Sequence, residues 1–263
     1  MQMLSQRQND ILSIARTQGR VAVDDLAVRF DVTPQTIRKD LNDLCEQRLL
    51  NRIHGGATVA SGVENLAYEA RRLIAAEEKR AIGAAAAALI PNKSSLILNI
   101  GTTTEEVARA LAHHEDLMII TNNLNVALSL YPHPRIEVIV AGGPVRRSDG
   151  AVVGAAAVDL IRQFKVDTAV IGASAIDEDG SLLDFDYREV RVSQAIIENA
   201  RRVILVADRL KLERTAPVRI AHLSQIQVFV TDRLPSTRLR GICADHGVEL
   251  IETAPEPPIE GHG

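Results

Sequence analysis

Apolar positions along the chain fall into two textures. From residue 4 to about residue 60 they recur at helical spacing in short pieces that end on a glycine-rich turn. From about residue 75 onward, apolar runs of strand length alternate with helical segments. The strand candidates are SLILNI, LMIIT, IEVIVA, DTAVIGAS, RVILVAD, QVFVTD and VELIET. Between them EEVARALAHH, LNVALSLY, AAAVDLIRQF, REVRVSQAIIENA and TRLRGICADH carry apolar residues at i, i+3 and i+4. Strands alternating with helices imply parallel βαβ units and an open sheet covered on both faces. The pattern predicts an α/β protein with a small domain over 1–58, a linker over 59–74 passing into a helix, and a larger open α/β domain over 75–252. The Pro- and Gly-rich end, residues 253–263, reads as a disordered tail.

The first block predicts a specific arrangement. A helix runs from Leu4 to about Thr17, and VAVDDLAVRF follows as a short helix with Leu26, Ala27 and Phe30 on its apolar face. Asp31-Val32-Thr33 makes a tight turn, after which Thr33 stands at the N-cap and Pro34 at the first helical position. The cap hydroxyl accepts a free N–H, and proline has none to leave unpaired. Ile37, Leu41 and Leu44 face inward, leaving Gln35, Thr36, Arg38 and Lys39 on the outer face. This is a helix-turn-helix whose second helix enters the major groove. Gln and Arg suit adenine and guanine edges, while Thr and Lys serve bases or phosphates. LLNRIHGGATVA then predicts a two-stranded wing turning at Gly55-Gly56, with Arg52 and His54 aimed at the DNA backbone or minor groove.

Charge and composition narrow the picture. The net charge of -4 excludes a polycation, so the DNA surface must be a focused patch, with Asp24, Asp25, Asp43 and Glu46 turned away from it. Aromatic residues are 3% of the chain and Trp is absent, so the core must be aliphatic. Cys45 and Cys243 match no metal-ligand spacing and read as packing residues of a reduced, cytoplasmic protein. The start of the chain does not resemble a signal peptide, and AIGAAAAALIP is too short to span a bilayer.

Ligands of open α/β sheets sit outside the carboxyl ends of the strands. Gly101, Thr102, Thr103 and Thr104 follow the first strand there, and Asn122 and Asn123 follow the second. Gly142 and Gly143 follow the third, with Arg146 and Arg147 just beyond. Ser174 and Asp177 follow the fourth, and Asp208 with Lys211 the fifth. A strand passing through Gly-Thr-Thr-Thr into a helix offers hydroxyls and free N–H groups to a phosphate. The carboxylates Asp177, Asp184, Asp186 and Glu189 can accept hydrogen bonds from ligand hydroxyls, and Tyr187 stands among them. Together these suit a small polyol phosphate. Neither GxxxxGK[ST] nor GxGxxG is present, and no cluster has metal-ligand spacing, so the expectation is no cofactor and no metal.

RQNDILSIARTQGRVAVDDLAVRFDVTPQTIRKDLNDLCEQRLLNRIHGGA resembles the winged helix-turn-helix of the DeoR family of bacterial transcriptional regulators. TNNLNVA and AGGPVRRSDGAVVG resemble that family's sensor domain, and GSLLDFDYREVRVSQAIIENAR resembles its group answering to glycerol 3-phosphate. The resemblance implies operator DNA as one partner, a small phosphorylated effector such as sn-glycerol 3-phosphate as another, and a homodimer or homotetramer without membrane contact. It also implies a sensor fold similar to ribose-5-phosphate isomerase, whose catalysis uses a glutamate base, acidic residues and a lysine. Asp177 and Glu189 match the acidic positions, but GSLLDFDYRE contains no Lys. The resemblance therefore implies a pocket that binds without turnover. A residual isomerase or phosphatase, and a regulator answering to fructose 1-phosphate or a phosphorylated deoxysugar, remain the alternatives. The chain departs from the family in GASAID, with Ala173 and Ala175, and in Asp208-Arg209-Leu210-Lys211, where a leucine replaces the small hydroxyl residue before the lysine.

Overall fold

The computed structural model describes residues 4–18, 20–47, 49–53, 55–59 and 68–254, in two compact units that divide between Ala75 and Ala76. The expected wing residue His54, the linker stretch 60–67 and the tail from residue 255 lie outside the described residues.

The first unit contains α1 (Gln6–Gln18), β1 (Arg20–Ala22), α2 (Val23–Arg29), α3 (Pro34–Glu46), β2 (Leu50–Ile53), β3 (Gly56–Val59) and α4 (Tyr68–Leu73). Ile11, Leu12 and Ala15 of α1 bury against Leu26 of α2, Ile37, Leu41 and Leu44 of α3, and Leu50 of β2. The expected two-stranded wing has a third strand. Arg20–Ala22, of which the sequence pattern assigns Val21 and Ala22 to the short helix, pairs antiparallel with β3 and gives the order β1-β3-β2. Three residues are too few to show a two-residue period, which is why the pattern missed them. That pairing also explains Gly56: a Cβ there would stand 2.0 Å from Val21 O.

The second unit is built on one seven-stranded parallel sheet of order β13-β12-β10-β7-β4-β5-β6. Its strands are β4 (Ser95–Leu98), β5 (Leu117–Thr121), β6 (Ile136–Val140), β7 (Val166–Ile171), β10 (Ala200–Val206), β12 (Val228–Thr231) and β13 (Glu249–Glu252). Five lie within the runs read from the sequence, and β7 and β10 begin one and two residues before theirs. The helices are α5 (Ala76–Ala88), α6 (Thr102–Ala110), α7 (Leu124–Leu130), α8 (Ala155–Ile161), α9 (Tyr187–Glu198) and α10 (Thr237–Asp245). Alternate strand residues feed two separate cores. Ile97, Ala169, Ile171, Val203 and Leu205 pack on one face, and Leu96, Leu98, Val170, Ile204 and Val206 on the other. Burial on both faces is why these strands read as continuous apolar runs.

A second, antiparallel sheet was not anticipated. It joins β8 (Ala175–Ile176), β9 (Ser181–Asp184) and β11 (Val218–His222) in the order β11-β9-β8. Thr253 and Ala254, read as the start of the tail, still donate to Thr231 O and Asp232 O. The strand order runs outward from β4 through β5 to β6 and from β7 through β10 to β13. The carboxyl ends of β4 and β7 therefore flank the switch point, where open α/β sheets place their ligands.

Candidate functional site

In the first unit, Thr33 Oγ1 accepts from Thr36 N at 3.3 Å and lies 2.9 Å from Thr36 Oγ1. The Thr33 hydroxyl therefore serves the cap, with Pro34 at the first helical position. Gln35, Arg38 and Lys39 are exposed and Thr36 is half-buried. Two of the three acidic residues of α3, Asp40 and Asp43, are turned toward α1, while Glu46 at its last turn is exposed. Arg7 Nε of α1 meets Asp40 Oδ2 at 2.6 Å, and Gln8 Nε2 donates to Asp43 Oδ2 at 3.1 Å. Two carboxylates that would oppose DNA are thus taken up by α1, leaving the outer face cationic at Arg38 and Lys39. Arg52 is exposed on β2, and the wing turns at Gly55 with φ 75.

In the second unit, the loop after β4 forms an open helix start. Gly101 is the N-cap at φ 142, a conformation that favours glycine, and it supplies no side-chain cap. The first N–H groups of α6 thus point outward at the positive end of its dipole. The three threonines divide by role. Thr104 Oγ1 lies 2.9 Å from Asn99 O and 2.7 Å from Gly101 O, so its hydroxyl holds the loop. Thr102 and Thr103 are buried beside it at the helix start.

The asparagines divide in the same way. Asn123 caps α7, accepting from Asn125 N at 2.9 Å and Val126 N at 3.4 Å, while its Nδ2 donates to the buried Glu105. Asn122 is 0% exposed, and its Oδ1 has no hydrogen-bond partner among the described residues. An acceptor kept dry and unfilled costs stability unless a ligand completes it.

The carboxylates converge around one arginine. Arg146 donates to Asp149 at 2.6 and 2.8 Å, to Glu189 at 2.6 Å and to Asp186 at 3.2 Å. Asp186 also caps α9, and Arg188 holds its carboxyl below the usual range. Asp184 accepts from Ser174 Oγ at 2.9 Å and from Phe185 N at 2.6 Å. Glu189 is pushed up to about 7, first by burial and then by the charge of Asp184, with Arg146 opposing both.

The remaining expected residues separate. Asp177 sits in the β8–β9 turn, where its N–H pairs with Ser181 O and its carbonyl accepts from Gly180 N. Its side chain shares no hydrogen bond with the cluster; Ser174, three residues before it, is the partner of Asp184 instead. Gly142 and Gly143 lie in an exposed stretch leading into the Arg146 loop. Tyr187 is 64% exposed and lines a separate groove of about 280 Å³ with Arg162, Arg188 and Arg191. Lys211 is buried after β10, beside Asp208, whose carbonyl accepts from Lys211 N. Sequence reasoning did not single out Lys79. It is buried on α5 with Nζ 4.0 Å from Asp208 Oδ2, and a lysine amid EEKR reads as a solvated face.

Residues 7–63 match the model for the DeoR-like helix-turn-helix domain, and residues 74–233 match that for the DeoR C terminal sensor domain. The chain is similar to the Glycerol-3-phosphate regulon repressor of Escherichia coli (strain K12), 45% identical over 94% of this chain and 98% of that protein. It is 45% identical to the protein of that name from Haemophilus influenzae, over 88% of this chain and 90% of the relative. The HTH-type transcriptional repressor CsqR of E. coli is 41% identical over 93% and 94%. Among solved structures, the second unit's fold is similar to ribose 5-phosphate isomerase A from Methanocaldococcus jannaschii, with TM-score 0.39, 15% identity and 52% and 55% of the two chains covered. It is also similar to eIF2B beta from Chaetomium thermophilum, with TM-score 0.45, 20% identity and 64% and 53% covered.

Proposed function

The chain belongs to the DeoR family of DNA-binding transcriptional regulators, and from that premise we propose that it represses genes of glycerol and glycerol 3-phosphate metabolism until sn-glycerol 3-phosphate releases it from its operator. The regulon is supported by the 45% identity, across nearly all of both chains, to a repressor named for it. The effector is supported by one arrangement: an uncapped helix start at Gly101–Thr103 and an acid-rich cluster at Glu189 share the switch-point edge of one sheet. A phosphate suits the first, and hydroxyls suit the second.

Gln35, Thr36, Arg38 and Lys39 read bases and phosphates in the major groove, and Arg52 with the Gly55-Gly56 turn adds backbone grip. The phosphate is received by the N–H groups and hydroxyls of Thr102 and Thr103, with Lys211 and Lys79 supplying positive charge at the end of β10. Glu189 and Asn122 accept from the polyol hydroxyls. No proton transfer is assigned to Glu189. The lysine that would polarise a carbonyl is missing from residues 181–189, and Asp184 is occupied by Ser174.

Repression and release follow if the effector prefers the form that binds DNA poorly. A tenfold loss of operator affinity needs about 1.4 kcal/mol of coupling, and decisive switching needs several. A homodimer or homotetramer supplies the two-state element, because adjacent major grooves repeat at about 34 Å and a small change in spacing spoils the fit. A thermal-shift panel of phosphorylated metabolites, followed by operator competition, tests the reading. sn-Glycerol 3-phosphate is expected to give the largest shift and to displace operator. A larger shift with fructose 1-phosphate or a phosphorylated deoxysugar would reassign the effector.

A further inference from the structure

Three carboxylates from two separate segments converge on one guanidinium. Arg146 reaches back to Asp149 in its own loop and across to Asp186 and Glu189 at the start of α9. The loop itself is folded over the sheet edge. Arg146 N donates to Ala151 O at 2.7 Å, Val145 bridges Val152, and Asn123 bridges Ala151. Ala151 and Val153 bury against Ile100, the residue before Gly101. Residues 144–153 thus rest on the ends of β4 and β5, and the Arg146 side chain ties them to α9.

Filling this network leaves few acceptor atoms. Both oxygens of Asp186 are taken by Arg146 and Arg188, and both oxygens of Asp184 by Ser174 and backbone N–H groups. Glu189 Oε2 is taken by Arg146, while its Oε1 makes no hydrogen bond among the described residues. Asn122 Oδ1 has no donor either. With Glu189 ionised, a group that completes these two oxygens must donate, as a hydroxyl does and a phosphate dianion does not.

We propose that Arg146 is a positioning residue of the effector site, clamping residues 144–153 onto α9 and turning Glu189 so that one carboxylate oxygen is spent on the clamp and the other is presented to a ligand hydroxyl. The clamp makes the site selective for a polyol phosphate over bare phosphate, and this part of the inference rests on the effector reading above. Lysine is a poor replacement, because a point charge cannot serve three carboxylates in the fixed fork that guanidinium provides.

Calorimetry on the full-length protein, with sn-glycerol 3-phosphate and inorganic phosphate as probes, tests the selectivity. Amide exchange on ligand-free protein tests the clamp. In Arg146→Met the preference for the polyol phosphate is expected to fall tenfold or more, while inorganic phosphate binds within threefold of wild type. Arg146→Lys is expected to recover only part of the preference. Exchange over residues 144–153 is expected to quicken about tenfold in both variants, with β4 and β7 unchanged. Equal loss of both ligands, or faster exchange across the whole sheet, would reduce Arg146 to a general structural role and overturn the proposal. Wild-type protein that binds neither probe, or both alike, would refute the effector reading instead. The clamp would then stand or fall on exchange alone, and unchanged exchange over 144–153 in Arg146→Met overturns it.

Discussion

Arg146 Nη2 stands 2.6 Å from Glu189 Oε2, across 43 residues of sequence. The guanidinium favours an ionised Glu189, yet burial and the Asp184 charge outweigh it and hold the carboxyl at about 7. Near neutral pH the site therefore gains and loses a proton.

That proton sets a pH dependence. Glu189 is raised from 4.5 to about 7 on folding, so the native state binds the proton more tightly than the unfolded chain between those values. The stability it contributes is fully present below about 4.5 and is lost as pH rises through about 7. Glu189→Gln, which mimics the protonated form, is expected to flatten this descent, with a difference on the order of 3 kcal/mol between pH 4.5 and 8. Other shifted groups, such as the buried Asp232, are common to both proteins and cancel. Urea denaturation across this range checks it; parallel curves for the two proteins would contradict the assignment.

The threonines after β4 are expected to part company. Thr104→Ala removes a hydroxyl bonded to Asn99 O and Gly101 O, and should cost about 1 kcal/mol or more of stability. Thr103→Ala gives up one buried methyl and should cost no more than about 1 kcal/mol of stability, while weakening the effector roughly tenfold for a lost charge-assisted hydrogen bond. Thermal unfolding with and without sn-glycerol 3-phosphate separates the two effects. An undiminished ligand shift in Thr103→Ala removes that residue from the phosphate site.

Arg38 is exposed on α3 while Asp40 and Asp43 of the same helix are turned toward α1. Arg38→Ala is expected to weaken operator binding by about 1–3 kcal/mol without altering effector affinity. Fluorescence anisotropy with labelled operator at several salt concentrations measures both the loss and the salt slope. Equal operator affinity would exclude Arg38 from the contact surface.

The wing makes a stability prediction. A Cβ on Gly56 would meet Val21 O at 2.0 Å, a backbone atom that cannot step aside like a flexible side chain. Gly56→Ala is expected to destabilise the first unit by about 2 kcal/mol or more and to weaken operator binding with it. Unchanged melting in the variant would mean that β1 does not hold β3 as described.

Much of the fold could be read from the chain because its signals are local. Thr33-Pro34 marks a helix start within two residues, and Ile204 flanked by Val203 and Leu205 marks a strand buried on both faces. β8, β9 and β11 could not be read that way, since strands of two to five residues are defined by their partners and not by their own period. The same limit governs the site. GTTTEE announced an open helix start, but which threonine stays free depends on where Asn99 O lies. DFDYREVR resembled an acid cluster, yet nothing near residue 189 points to Arg146. Asp177 and Ser174 both follow the fourth strand, and Asp177 matches the family's acidic position, but the hairpin turn takes up Asp177 and it is Ser174 that pairs with Asp184. Lys79 resembled a solvated charge until α5 packed it against Asp208.

Operator binding measured by anisotropy while sn-glycerol 3-phosphate is titrated in, for wild type and Thr103→Ala side by side, tests the central claim most directly. Wild-type protein is expected to lose operator affinity tenfold or more as the site fills. Thr103→Ala should bind operator equally well at the start and need about ten times more effector to release it. Operator affinity that stays constant through saturating effector in the wild type would contradict the account.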